Sequence, residues 1–172
     1  PRSRSSFRAS KTGHAPPLGL LYVAAYLDAH TDHDVRVIDA QAERLSYPQL
    51  EQRLRQQQPH VVGITALTLT LLDALRTAEA TQAACAETHV VLGGPHPTLY
   101  PRETARLPQV DYVIASEGEQ AFAQLLERLD EPQRLRQTPG VAFEHEGEVV
   151  LNGPAPPAMD LDALPFPARD KT

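Results

Sequence analysis

Val61-Val62-Gly63-Ile64-Thr65, His89-Val90-Val91-Leu92-Gly93 and Asp111-Tyr112-Val113-Ile114-Ala115 are three short apolar, β-branched runs spaced along one stretch of the chain. Each has the length of a strand rather than of a helix. Between the first two, Leu71 to Ala86 reads as a helix, and Thr70 with Asp73 three residues on has the spacing of a capping box. After the third, Ser116 and Glu119 repeat that spacing, and Phe122, Leu125, Leu126 and Leu129 form a stripe at helical intervals. Apolar strands alternating with helices predict a parallel sheet covered on both faces, an α/β fold of the Rossmann-like, doubly wound kind.

Working outward toward the amino terminus, Ser46 can cap a helix carrying Tyr47, Leu50 and Leu54 on one face and ended by Pro59. Val35-Arg36-Val37-Ile38-Asp39 reads as another strand. Leu18 to Leu27 reads as a helix with Leu18, Leu21, Tyr22 and Ala25 on one face, and Pro16 and Pro17 suit its first turn. Residues 1–11 are polar and basic, so no apolar strand precedes that helix. A doubly wound domain opens with a strand, central in the order 2-1-3-4-5. The expectation is therefore that the first strand is absent and that the sequence is a piece cut at both ends. Toward the carboxyl terminus, residues 141–145 and 148–152 flank Glu146-Gly147, a hairpin signal. Five prolines between Pro154 and Pro167 then exclude a regular helix and predict an extended linker. The expected division is a Rossmann-like domain over 1–132, a β-hairpin extension over 133–153 and a linker over 154–172.

The 172 residues suffice for one full core. One cysteine, Cys85, excludes an intrachain disulfide and any cysteine-rich zinc or iron–sulfur site made by this sequence alone. A net charge of -6 argues against nucleic acid as the main partner. No signal peptide and no apolar run of membrane-spanning length is seen, so the expected location is the cytoplasm. Arg2, Arg4, Arg8 and Lys11 precede the first carboxylate, Asp28. They read either as a solvated arm or as a loop near an anionic ligand group.

In an open parallel sheet, ligands bind beyond the carboxyl ends of the strands. The loops there are Thr65-Ala66-Leu67-Thr68-Leu69-Thr70, Gly93-Gly94-Pro95-His96-Pro97-Thr98 and Ser116-Glu117-Gly118-Glu119. Gly93 and Gly94 admit a close backbone approach. Pro95 and Pro97 remove two amide donors, which argues against a phosphate cradle. No dinucleotide or P-loop fingerprint occurs. Ordinary turns and helix caps would use the same residues one loop at a time; the three loops together are more specific.

Thr65-Ala66-Leu67 resembles the S-x-L of cobalamin-binding Rossmann-like domains, with Gly93-Gly94 following after 25 residues, while the D-x-H-x-x-G of such domains is missing. His14 lies in the corresponding loop, with Thr12 where Asp and Pro17 where Gly would stand; Asp28-Ala29-His30 falls at a helix end instead. Pro16-Pro17-Leu18-Gly19-Leu20, Gly93 to Thr98, Ser116 to Glu119 and Asp160 to Asp170 resemble the amino-terminal half of cobalamin-dependent radical S-adenosylmethionine enzymes. The likeness is to the anaerobic magnesium-protoporphyrin ester cyclase type and to radical methyltransferases. It implies cobalamin bound base-off, its dimethylbenzimidazole tail buried between strands and helices, with no histidine taking the tail's place on cobalt. Thr65, Ala66, Leu67, Thr68 and Thr70 would line the tail, and Gly93, Gly94 and Pro95 would let it pass. Glu117 and Gly118 would touch it from the next loop, and Pro17, Leu18 and Gly19 would lie near the corrin. It also implies a radical domain in the same chain, with S-adenosylmethionine and a 4Fe-4S cluster on a C-x-x-x-C-x-x-C motif that this sequence lacks. Cobalt would there pass on a methyl group or take part in an oxidative cyclisation; this segment alone would hold the cofactor without catalysing.

His96 reads either as a donor to the nucleotide tail or as a turn histidine. Cys85 reads as a small buried residue in mid-helix, and Glu119 as a helix cap rather than half of an acid–base pair. His30, Asp32, His33 and Asp34 read as a solvated turn rather than a metal cluster. Two other functions stay open on the sequence: a stand-alone cobalamin- or tetrapyrrole-binding or sensing module, and a receiver- or flavodoxin-like domain. The cobalamin reading requires a slot at the sheet edge, floored by glycine and walled by small hydroxylated side chains.

Overall fold

In a computed structural model the described residues are 15–129, 131–155 and 160–171. The order of elements is α1 (Leu18–His30), α2 (Tyr47–Gln57), β1 (Val61–Thr65), α3 (Leu71–Ala84), β2 (His89–Gly93), α4 (Pro95–Leu99), α5 (Pro101–Ala105), β3 (Tyr112–Ile114), α6 (Glu119–Leu126), α7 (Pro132–Leu135), β4 (Val141–His145) and β5 (Glu148–Leu151). One sheet runs β1-β2-β3-β4-β5. Its first three strands are parallel, with Val61 opposite His89 and Val91 opposite Tyr112. The hairpin adds to the same sheet antiparallel to β3, Ile114 opposite Val141. Its turn residues Glu146 and Gly147 have φ of 54° and 81°, the left-handed pair that a tight two-residue hairpin demands. The fold is thus the expected Rossmann-like α/β one, and the hairpin extends its sheet.

Strand alternation divides the core between two faces. Val90, Leu92 and Val113 point toward α3 and α5, where Ala74, Ala78 and Ala105 meet them. Val91, Ile114 and Phe143 point the other way, toward Ala121 and Leu125 of α6 and Leu135 of α7. On that second side α1 packs on α6. Leu21, Ala24, Ala25 and Leu27 of α1 are buried, whereas Leu18 is exposed. Helix α2 starts as the sequence predicts, with the Ser46 amide donating to Gln49 Oε1 at 2.9 Å. Among the described residues no helix is long and apolar enough to cross a membrane.

Several local expectations are corrected. Val35–Asp39 is not a strand: it has no hydrogen-bonded strand beside it among the described residues, and a strand exists only by pairing. Val35 and Val37 still pack on Ala24, Ala25 and Ala168. The glycine–proline segment expected as a loop turns into helix α4 directly after Gly94, with Pro95 at its first position, where no amide is needed. Helix α3 ends at Ala84, so Cys85 is its half-buried C-cap rather than a mid-helix residue. Thr70 does not cap α3: its hydroxyl accepts from the Leu67 amide at 3.1 Å and closes the 3₁₀ turn Thr68–Thr70. Within the proline-rich tail, residues 168–171 touch α1. The Ala168 amide donates to Leu21 O at 3.1 Å, and Lys171 Nζ pairs with Asp28 at 3.0 Å. The basic arm Arg2, Arg4, Arg8 and Lys11, His14, and the question of a strand before α1 lie outside the described residues.

Candidate functional site

The three loops selected from the sequence meet at the carboxyl edge of β1, β2 and β3. The Ala66 amide donates to Gly93 O at 2.9 Å, continuing the β1–β2 ladder by one residue. The His96 amide then donates to Ala66 O at 3.0 Å, which ties the start of α4 to the first loop. The third loop is tied in by Thr98. Its hydroxyl donates to Gly94 O at 2.9 Å and accepts from the Ser116 amide at 3.0 Å. Ser116 is held at φ 90°, a conformation rare for a side-chain-bearing residue. Ser116 therefore does not cap α6; Gly118 occupies the N-cap position, with no side-chain cap.

The glycines differ in what surrounds them. Gly94 has φ +99°, and a Cβ there would lie 2.7 Å from Thr65 Oγ1 and about as close to the Ala66 backbone as packing allows, at 3.1–3.2 Å. Its bare α-carbon is what lets the first two loops touch. Gly93 has room: the nearest atom to its Cβ position is Ile114 Cβ at 3.8 Å. Gly63, unremarked in the sequence as a site residue, shares its face with Thr65 and, one strand over, with Gly93, which pairs with Thr65. The sheet beneath α1 and α6 is thus floored at its carboxyl edge by Gly63, Gly93 and the Thr65 side chain. One side chain lies over this floor and another over the neighbouring loop. Phe122 Cε2 stands 2.9 Å from the Cβ position of Gly63, and Val23 Cγ2 stands 3.1 Å from that of Gly118.

That floor fits a flat apolar group lying on the backbone: over Gly63 lies the Phe122 ring, and the Cβ position of Gly93 meets nothing nearer than Ile114 Cβ at 3.8 Å. The carboxyl edge of the sheet also carries exposed apolar side chains. Leu18 at the start of α1, Leu67, Leu69 and Leu72 after β1, and Leu99 and Tyr100 after β2 are all exposed, Leu69 at 94%. A cluster of exposed large apolar side chains along one edge marks a binding surface. Pro17 and Gly19 stand beside Leu18 at the same end of α1, and nothing would meet a Cβ on Gly19 within 4 Å. Glu117 is exposed and Gly118 half-buried beneath Val23.

Thr68 and His96 are turned toward each other. Thr68 Oγ1 lies 3.2 Å from His96 Nδ1, and the buried His96 ring leans on Tyr100 with centroids 5.2 Å apart. Among the described residues no cluster of three or more His, Cys, Asp or Glu side chains is placed to hold a metal ion. Tyr47, on α2, has a phenol held above its ordinary pKa, first by burial and then by its hydrogen bond to Asp73 at 2.8 Å. That contact joins α2 to α3 and has no part in the loop cluster. Gly63, Phe122 and Val23 are the members that sequence reasoning missed; Thr98 was read only as part of its loop, not as the tie between the second and third. The signal for Gly63 was available, since a glycine inside a strand pattern marks a close backbone approach.

Comparison with known proteins gives one consistent result. The profile of the B12 binding domain matches residues 6–126. The chain is 33% identical to an uncharacterized methyltransferase of Pyrococcus horikoshii over 99% of its own length and 37% of that protein's. It is 32% identical to the anaerobic magnesium-protoporphyrin IX monomethyl ester cyclase of Rubrivivax gelatinosus, over 91% of this chain and 29% of that one. The chain thus spans about a third of the curated relatives it matches. Among solved structures, the cobalamin-dependent S-adenosylmethionine radical enzyme OxsB, with aqua-cobalamin and S-adenosylmethionine bound, superposes with a TM-score of 0.72. The identity is 21%, over 89% of this chain and 21% of that one. The radical S-adenosylmethionine methyltransferase TsrM of Kitasatospora setae, with cobalamin and a 4Fe-4S cluster bound, gives 0.70 at 18% identity, over 87% of this chain and 28% of that one.

Proposed function

The chain belongs to the B12 binding domain family, and from that premise we propose that it is the cofactor-holding part of a cobalamin-dependent radical S-adenosylmethionine enzyme, carrying cobalamin base-off. The observation that carries the reading is the glycine-floored patch of Gly63, Gly93 and Thr65 at the carboxyl edge of the parallel strands, covered by Phe122 of α6. The nucleotide tail lies on that floor. Thr65, Ala66, Leu67, Thr68 and Thr70 line one side, Gly93, Gly94 and Pro95 the next, and Glu117 and Gly118 the third. The corrin lies against the exposed edge, near Pro17, Leu18 and Gly19. No histidine replaces the tail's base on the metal; the commitment of the His96 ring to Thr68 and Tyr100 supports this. Bound cobalamin supplies a cobalt that carries a methyl group or an electron toward the substrate. The protein's own residues shape the seat, exclude water from it and keep the tail away from the metal. For the whole protein the reading is methyl transfer or oxidative cyclisation; relatives named as a methyltransferase and as an ester cyclase support it.

The test is to load the protein with cobalamin, reduce it to Co(II), and record its absorbance and paramagnetic resonance. A signal without nitrogen splitting supports the base-off, histidine-free reading. Nitrogen splitting on cobalt overturns that assignment, and lack of uptake overturns the function.

A further inference from the structure

Resting on that proposed seat, we infer that Phe122 is a specificity-determining residue for the tail: its ring holds the place over Gly63 until a tail-bearing corrinoid displaces it. The Phe122 ring lies on bare backbone, 2.9 Å and 3.1 Å from where a Gly63 Cβ would be. A flat aromatic ring on a glycine floor occupies the same kind of volume as one ring of a benzimidazole. Phe122 is half-buried, in contrast to Ala121 and Leu125 on the same helix, which are sealed in the core. A phenyl ring makes no hydrogen bond, so only apolar contact holds it. Gly63 and Thr65 beside it are exposed, so the displaced ring moves toward solvent rather than into packed side chains.

The exchange makes binding depend on the tail. A corrinoid with the heterocycle replaces one buried ring by another, and apolar burial is kept. A corrinoid without it leaves Phe122 where it is and gains only the exposed edge.

The chain has four phenylalanines, Phe7, Phe122, Phe143 and Phe166, so 4-fluorophenylalanine labelling gives a short fluorine spectrum. Phe122→Leu identifies the Phe122 line by its loss. The protein is titrated with diamagnetic Co(III) cobalamin and, separately, with cobinamide, which has the corrin but no nucleotide tail; uptake is followed independently by corrin absorbance. Expected is a shift of the Phe122 line with cobalamin and none with cobinamide, while the buried Phe143 line holds still. Phe122→Trp, a larger ring on the same floor, is expected to weaken cobalamin binding about tenfold or more and to leave cobinamide binding unchanged. Uptake of cobalamin with an unmoved Phe122 line overturns the inference and leaves the cofactor assignment standing. No uptake overturns both.

Discussion

The two faces of this sheet are built from alternate residues of the same strands, and they are built to opposite ends. Toward α3 and α5, Ile64, Val90, Leu92 and Val113 fill the space, and Val90, Leu92 and Val113 have no accessible surface at all. Toward α1 and α6, the carboxyl ends of β1 and β2 offer Gly63, Thr65 and Gly93. One step along the chain, from Leu92 to Gly93, passes from a packed core to bare backbone. Side-chain volume fills the first face up to its carboxyl edge; on the second, where Val91 and Ile114 still pack with Leu125, it is withheld only at the carboxyl ends of β1 and β2, so substitutions at Leu92 and at that edge should separate folding from binding.

The largest effect is expected on the packed face. Leu92→Ala leaves a cavity among alanines and valines that cannot collapse, at a cost of about 2–5 kcal/mol. Denaturant unfolding should show the unfolding free energy falling by that amount, with a lower midpoint, while the folded fraction binds cobalamin as before. A variant that loses affinity as much as stability would show that the two faces are not separable. Gly94→Leu comes next because it offends both. The residue sits at φ +99° with Thr65 Oγ1 and the Ala66 backbone where its side chain would go. Overpacking of about 1–3 kcal/mol should open the junction of the first two loops and lower cobalamin affinity about tenfold or more, measured by corrin absorbance titration. Gly93→Leu sharpens the contrast: its Cβ position is clear to 3.8 Å, so the unfolding midpoint should hold while affinity falls about tenfold. A fallen midpoint with intact affinity would place the tail elsewhere.

The legibility of the two faces differs in the same way. The packed face was readable because runs such as Val90-Val91-Leu92 specify burial by themselves. The hairpin was readable from Glu146-Gly147, since its local backbone demands those residues. The three loops were readable as a set once parallel strands were assumed. What could not be read depends on distant partners. Ser116 and Glu119 have capping-box spacing, yet Ser116 is claimed by Thr98, eighteen residues earlier in the chain. Val35–Asp39 has strand composition, but composition supplies no neighbour to pair with. The adjacent Gly93-Gly94 pair drew the sequence reading. The structure divides its roles, Gly94 joining two loops and Gly93 sharing a floor with Gly63, 30 residues away.

The smallest effect should come from the wall of the floor. Thr65 ends β1 opposite Gly93, is exposed, and lies with its hydroxyl 2.7 Å from the empty Cβ position of Gly94. Thr65→Ala removes a hydroxyl without adding volume, so nothing blocks the tail. One neutral hydrogen bond contributes about 0.5–1.5 kcal/mol, and its loss lowers affinity at most about tenfold. The binding titration that reads Gly94→Leu should therefore find Thr65→Ala much milder. Equal losses would mean that a specific hydroxyl contact, rather than the absence of side chains on the floor, holds the tail. The contrast between the faces would then rest on hydrogen bonding and not on volume. Thr65→Val separates the two cases, since it restores the shape of threonine without its oxygen. Affinity regained with Thr65→Val assigns the loss to shape, and affinity still missing assigns it to the hydroxyl.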